Sequence, residues 1–145
     1  DKDIRFRQPE ALQRYRKAFS QEIEFYQFLQ YKFYEQWSRI KKYANEHGVE
    51  IIGDMPIYVA LDSVDVWVNP GLFELDEERK PVCVAGCPPD AFSDDGQKWG
   101  NPLYNWKVME VEEFAWWKHR MAAAAKLFDV VRIDHFIGIV LCALQ

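Results

Sequence analysis

The order in which helical and strand-like segments alternate is the feature that most constrains the fold of this chain. Residues 9–18, opening with Pro9, predict a short helix. Residues 21–47 place apolar side chains at three- and four-residue intervals, which predicts a long helix with Ser20 as its N-cap and Gly48 at its end. The run VEIIGDMPIYVA follows at once and is typical of a strand buried on both faces. A further helix, predicted over 111–127, leads directly into the strand VVRIDHF, and two such helix–strand units predict a parallel α/β fold.

A long irregular segment separates the two helix–strand units. It covers about residues 62–107, is rich in Pro, Gly, Asp and Trp, and contains LFEL and VCVAG around the polar DEERK, which predicts a small hairpin. Connections of this length inside a domain are usually functional. Because a (β/α)₈ barrel needs more strands than these two, residues 1–145 are predicted to be a fragment of a single barrel domain that carries this inserted loop and hairpin.

Composition argues against several classes of function. The net charge is −5 and the 18 Lys and Arg residues are scattered, whereas nucleic-acid binding needs clustered basic surface. No apolar run reaches membrane-spanning length and the N-terminus lacks a signal-peptide core, so we expect a cytoplasmic protein without a membrane partner. The three cysteines lack a repeated zinc spacing, which predicts reduced thiols, and the sequence indicates neither a metal nor an organic cofactor.

The strand VVRIDHF carries the first candidate for catalysis. Since side chains alternate between the two faces of a strand, Arg132 and Asp134 share one face. The other face carries Val131, Ile133 and His135. An arginine and an aspartate near the C-terminal end of a barrel strand would face the barrel mouth, and a guanidinium suits a carboxylate that must react in its charged form. Spacing alone is equally consistent with a buried Arg–Asp pair that tethers a loop.

Two further segments place polar groups where a sugar could bind. Asp54 lies near the C-terminal end of the preceding strand, where it could bond an arginine or a sugar hydroxyl, or cap the turn after Gly53. The loop PPDAFSDDGQKWGNPLYNW presents polar and aromatic groups at Asp90, Gln97, Trp99 and Asn101. Glycan sites combine planar aromatic surface of this kind with partners for vicinal hydroxyls. An ordered loop with ordinary turn chemistry is the alternative.

Three runs of the chain carry a resemblance to a known family. In order, GDMPIYVALDSVDVWVNPGLFELD, PPDAFSDDGQKWGNPLYNW and VVRIDHF resemble the amylomaltases or disproportionating enzymes, which are 4-alpha-glucanotransferases related to the α-amylases. The resemblance extends from about Ala18 to Val140. It implies the third and fourth strands of a catalytic barrel with their helices. It also implies an enzyme that transfers α-1,4-glucan segments between maltooligosaccharides by a retaining double displacement.

The same resemblance implies a role for each candidate residue. Asp134 falls on the position of the family's nucleophile, and Arg132 falls on the arginine that orients it. The positions implied to bind sugar or support the site are Asp54, Asp90, Gln97, Trp99, Arg132 and His135. Ala91 stands where many members carry a tyrosine, so one aromatic contact with the glucan is expected to differ.

The general acid/base that the resemblance implies, a glutamate on the next barrel strand, is not among the 145 residues. We therefore expect the complete protein to be active and this fragment alone to be inactive. Two other classes stay open: a non-catalytic glucan-binding remnant, and a metal-dependent barrel hydrolase suggested by the adjacent Asp134 and His135. Metal sites usually need further ligands on other strands, and the other two histidines, His47 and His119, fall at or near predicted helix ends.

Overall fold

The computed structural model describes residues 1–89, 91 and 93–136, which form two compact units. The first unit is helical and spans Asp1–Ile51. Its helices are α1 (Lys2–Arg5), α2 (Pro9–Ala18) and α3 (Ser20–Glu46). Both predicted helices are therefore confirmed, and Gly48 has the left-handed backbone, φ +72°, that closes the end of α3. The predicted N-cap is wrong, because Phe19 occupies that position and Ser20 is already helical.

Helix α3 exposes its apolar side chains. None of its residues is buried, and Phe25, Leu29 and Phe33 each leave more than a third of their area exposed. Glu35 contacts Lys32 and Arg39 on the same helix, and these cations lower the pKa of the Glu35 carboxyl. Of the helices in the described residues, none has both the length and the apolar character needed to cross a lipid bilayer.

The second unit begins at Ile52 and mixes helices with strands. Its strands are β1 (Ile52–Pro56), β2 (Val84–Cys87), β3 (Gln97–Pro102) and β4 (Val130–Asp134). Its helices are α4 (Val64–Val68), the 3₁₀ turn Pro70–Leu72, α5 (Trp106–Val111) and α6 (Ala115–Leu127). Strand β1 pairs with β4 in parallel, and β2 pairs with β3 in antiparallel fashion. The predicted α/β class and the predicted parallel arrangement of the two strands are confirmed at this level.

Two predictions about these elements are wrong. Strand β1 is not buried on both faces: Gly53 and Met55 are buried while the alternate positions are exposed, because one face alone is covered within the described part of the chain. The helix predicted over 111–127 is interrupted between α5 and α6. Glu113 and Phe114 have left-handed backbone, φ +52° and +55°, which a right-handed helix cannot accommodate.

The hairpin predicted around DEERK is shorter than expected. The Asp76 N–H donates to the Lys80 carbonyl at 2.8 Å, and an isolated antiparallel bridge joins Leu75 to Pro81. The Val82 N–H still donates to the Glu74 carbonyl at 2.9 Å, and from Val84 onward the chain forms β2 against β3. The irregular segment thus contains a tight turn and a separate two-stranded sheet.

Tyr104 lies at the centre of the core of the second unit. Five aromatic rings have centroids 5.2 to 5.9 Å from its own: Tyr58, Phe73, Trp106, Trp116 and Trp117. Its hydroxyl donates a hydrogen bond to the carbonyl of Ile57, one residue past the end of β1. Much of the aromatic content of this unit therefore packs the core, and the core is bonded to the chain that leaves β1.

The buried phenol of Tyr104 should make stability depend on pH in the alkaline range. Burial raises the pKa of Tyr104, so the folded state favours the neutral phenol. Burial of the neutral phenol therefore makes no difference to the pH dependence of the free energy of unfolding below the pKa of an unfolded tyrosine, about 10. Above that pH, the free energy of unfolding falls as the pH rises. Tyr104→Phe should remove that alkaline loss, and should cost about 1 kcal/mol at neutral pH through the missing hydrogen bond. Urea titrations between about pH 8 and pH 11 measure both effects; exposed Tyr31→Phe is the control and should leave the alkaline loss intact.

The ring of Phe128 lies against Gly53, and this contact leaves no room for a side chain. A Cβ at position 53 would lie 2.0 Å from Cδ2 of Phe128. Gly53→Ala should lower the free energy of unfolding by about 1–3 kcal/mol, because the ring must move out of a packed site. Gly71→Ala is the matched control, since a Cβ there meets nothing within 4 Å. Equal unfolding free energies for the two variants would contradict the close contact between the Phe128 ring and Gly53.

Candidate active site

The register of the parallel strand pair brings three charged side chains together. Asp54 on β1 lies opposite Arg132 on β4, and Pro56 lies opposite Asp134. Nη1 of Arg132 donates to Oδ2 of Asp54 at 2.7 Å, and Nη2 donates to Oδ1 of Asp134 at 2.8 Å. One guanidinium therefore joins the two carboxylates across the strands, and Arg132 and Asp134 share the strand face that the alternation predicts.

These three side chains are exposed to solvent. The exposed fraction is 61% for Arg132 and 54% for each of Asp54 and Asp134. Within the described part of the chain the Arg132–Asp134 pair is therefore not buried. Within the described residues, the second oxygen of Asp134 forms no hydrogen bond, so the arginine holds one oxygen and leaves the other open to a ligand. The trio carries a formal charge of −1, which suits a reaction that develops positive charge on its substrate.

A second group of predicted residues adjoins Asp134. His135 follows it directly and has left-handed backbone, φ +50°. Its ring meets the indole of Trp99 edge to face, with the centroids 4.8 Å apart. Nε1 of Trp99 donates to Oε1 of Gln97 at 3.0 Å. The structure thus places His135, Trp99 and Gln97 in one contact chain that begins at the residue after Asp134, while Asp90 lies outside the described residues.

Tyr58 and Asn101 support this group through contacts that the sequence did not predict. The ring of Tyr58 lies between the Trp99 indole, 6.2 Å away, and the buried Tyr104 ring, 5.9 Å away. Nδ2 of Asn101 donates to the carbonyl of Val59 at 2.9 Å, which ties β3 to the segment after β1. Residues 59 and 101 are far apart in sequence, so no local pattern could have revealed the pairing.

The described residues contain no group of three His, Cys, Asp or Glu side chains placed to hold a metal ion. Cys83 is half-buried and Cys87 is buried, and both are free thiols.

Comparison with known proteins places this chain in a family. The structure is similar to that of amylomaltase from Streptococcus agalactiae in complex with acarbose, with a TM-score of 0.92 and 51% identity over 95% of this chain and 28% of that chain. A 4-alpha-glucanotransferase of Clostridium butyricum is 48% identical over 139 residues, which cover 95% of this chain and 28% of the relative. That of Thermus thermophilus is 50% identical over 135 residues, which cover 93% and 27%.

The mixed α/β fold is therefore that of an amylomaltase-like enzyme. Residues 1–142 match the family model described as 4-alpha-glucanotransferase, and the chain belongs to this family. It spans about 28% of the length of the relatives that it matches.

The exposed ion pairs of Arg132 should contribute little to stability. Exposed pairs are worth about 0–1 kcal/mol because water screens them. We expect Arg132→Ala to change the free energy of unfolding by no more than about that amount. Arg39→Ala is the matched control, because Arg39 is also exposed and also paired with a carboxylate, Glu35. A much larger loss for Arg132→Ala, measured by urea titration, would mean that the cluster holds the fold together.

Proposed function

We propose that this chain is part of a complete protein that transfers α-1,4-glucan segments between maltooligosaccharides as a retaining 4-alpha-glucanotransferase. The observation that carries the proposal is the Arg132 guanidinium bonded to both Asp54 and Asp134 at the end of a parallel strand pair. Membership of the 4-alpha-glucanotransferase family supports the same activity. Amylomaltase from Streptococcus agalactiae, which is similar in structure, forms a complex with acarbose.

In this proposal, β1 and β4 are the third and fourth strands of a (β/α)₈ barrel. Residues 1–145 then belong to one catalytic domain, with residues 62–107 as an insert between the strands. The parallel pairing and the helix α6 leading into β4 support this placement. Asp134 is the last residue of β4, and active sites of such barrels lie at the C-terminal ends of the strands.

The chemistry begins with attack by the open oxygen of Asp134 on the anomeric carbon of a bound glucan. The bond to the departing sugar breaks, its oxygen takes a proton from a general acid, and a covalent glucosyl-enzyme forms. A glutamate contributed by another part of the complete protein is the proposed acid. The 4-hydroxyl of a second glucan then attacks the same carbon, gives its proton to that glutamate and releases Asp134 with overall retention.

Arg132 and Asp54 prepare the nucleophile in this scheme. Arg132 holds Oδ1 of Asp134 in a fixed direction, and Asp54 holds the other end of the guanidinium. A preorganised donor of this kind needs no rearrangement as the reaction proceeds.

Trp99, Gln97 and His135 form the proposed contact surface for glucose units. The Trp99 indole is 37% exposed and can stack on the apolar face of a sugar ring. Gln97 accepts the indole N–H through its oxygen, which leaves its amide N–H groups for a sugar hydroxyl. Asp90 is proposed as a further sugar contact on the family resemblance alone. The cytoplasmic location stays a prediction.

The test of this proposal is Asp134→Asn in the complete protein, assayed for glucose release and chain redistribution from maltotriose. Loss of the nucleophile should lower kcat by roughly 10⁴-fold or more. Asp62→Asn is the control, since Asp62 is an exposed carboxylate in the same unit and should be replaceable without loss. Ordinary transfer by Asp134→Asn would eliminate the assignment of the nucleophile.

The same assay separates the enzyme from a non-catalytic remnant. A remnant would bind maltooligosaccharides without redistributing them, in the wild-type protein as well as in Asp134→Asn. Configuration at the new bond, read by proton NMR, should be α throughout if the reaction is retaining.

A further inference from the structure

Arg120 of helix α6 forms hydrogen bonds with the backbone at the carboxyl end of β1. Nη2 of Arg120 donates to the carbonyl of Pro56 at 2.5 Å, and Nη1 donates to the carbonyl of Ile57 at 3.0 Å. Nη1 also lies 3.4 Å from the hydroxyl of Tyr104, which itself bonds the Ile57 carbonyl. Two successive carbonyls at the end of the strand are therefore held by one planar group.

The guanidinium is itself held in place by two indoles. Its Cζ atom lies 5.3 Å from the ring centroid of Trp116 and 5.2 Å from that of Trp117, and the two rings are nearly perpendicular. Nε1 of Trp116 donates to Oδ1 of Asp65 at 3.2 Å, which fixes that ring in turn. Cation–π contact and a rigid fork of donors make arginine hard to replace by lysine at such a position.

The strand end that Arg120 holds is the one beside the proposed nucleophile. Pro56 is the register partner of Asp134. Two residues earlier on the same strand, Asp54 bonds the Arg132 guanidinium that also holds Asp134. A shift of this strand end would therefore move both the neighbour of Asp134 and the carboxylate that orients its arginine.

We propose that Arg120 is a positioning residue for Asp134, acting through the Pro56 and Ile57 carbonyls rather than on the substrate. This inference rests on the proposed function, because it assigns Arg120 a role in the reaction of Asp134. A misplacement of about 1 Å at a reacting group can cost on the order of a hundredfold in rate. The effect should fall mainly on kcat, because Asp134 is the direct register partner of Pro56. Trp99 and Gln97, by contrast, lie on β3 and reach this strand end through Tyr58 and Asn101.

The experiment compares three variants in the complete protein with maltotriose as substrate. Arg120→Met keeps an unbranched chain between the indoles and loses every hydrogen bond, whereas Arg120→Lys keeps the charge with a differently shaped donor. Lys118→Met is the control, because Lys118 is an exposed cation of the same helix. Near-UV circular dichroism establishes the folded fraction, so that each kcat refers to folded protein.

We expect kcat to fall by on the order of tenfold to a hundredfold in Arg120→Met and by a smaller factor in Arg120→Lys. KM should stay within about threefold of the wild type in both, and Lys118→Met should match the wild type. A purely structural role would lower the melting temperature and leave kcat per folded molecule unchanged, which would overturn the inference. A raised KM with unchanged kcat would also overturn it, because Arg120 would then act on binding.

A second Arg120 variant and a parallel assay of Asp134→Asn make the outcome decisive. If Arg120→Met does not fold, Arg120→Lys carries the test alone, and an unchanged kcat in that variant rejects the inference. Asp134→Asn, assayed in parallel, separates failure of the positioning role from failure of the proposed function. Normal kcat in the Arg120 variants beside an inactive Asp134→Asn rejects only the positioning role, whereas an active Asp134→Asn rejects the proposed function and the inference with it.

Discussion

The parallel pairing of β1 with β4 is the constraint on which the rest of the second unit depends. It sets the register that places Asp54 opposite Arg132, and without that register the guanidinium could not reach two carboxylates. Packing from one side maintains the pairing: the Phe128 ring covers Gly53 near the start of β1, and Arg120 bonds the carbonyls at its end. The exposed ion cluster is therefore positioned by contacts on the packed side of the strand pair, while its own ion pairs add little to the stability of the fold.

Sequence patterns over short stretches predicted the helix bounds and the strand faces, because both depend on residues that are close in sequence. The bounds of α2 and α3 follow from the apolar spacing, from Pro9 as a helix-start signal and from Gly48 as a helix-end signal. The structure reproduces these bounds to within a residue. The shared strand face of Arg132 and Asp134 also follows from sequence, because alternation along a strand is a property of its backbone. The roles of these residues came from the family resemblance and not from spacing.

What the sequence could not predict depends on contacts between distant residues. The left-handed backbone at Glu113 and Phe114 divides a segment whose apolar periodicity predicts one continuous helix. The sequence predicted an arginine as one possible partner of Asp54, but the identity of that partner, Arg132, depends on the strand register, which neither strand contains by itself. The contact of His135 with Trp99 has no local signal either, because the loop and the strand end meet only after the insert has packed.

The sequence separation of Asp54 and Arg132, 78 positions, has a consequence for synthesis. Ribosomes add about 5–20 residues per second, so Asp54 waits on the order of 4 to 16 seconds before its arginine partner has been made. Strand β1 spends that interval without the neighbour that will pair with it. The aromatic rings that pack around Tyr104 are all complete in sequence before β4 appears, so they can order the nascent second unit in this time. Strand β4 is then added to elements of the second unit that have already been made.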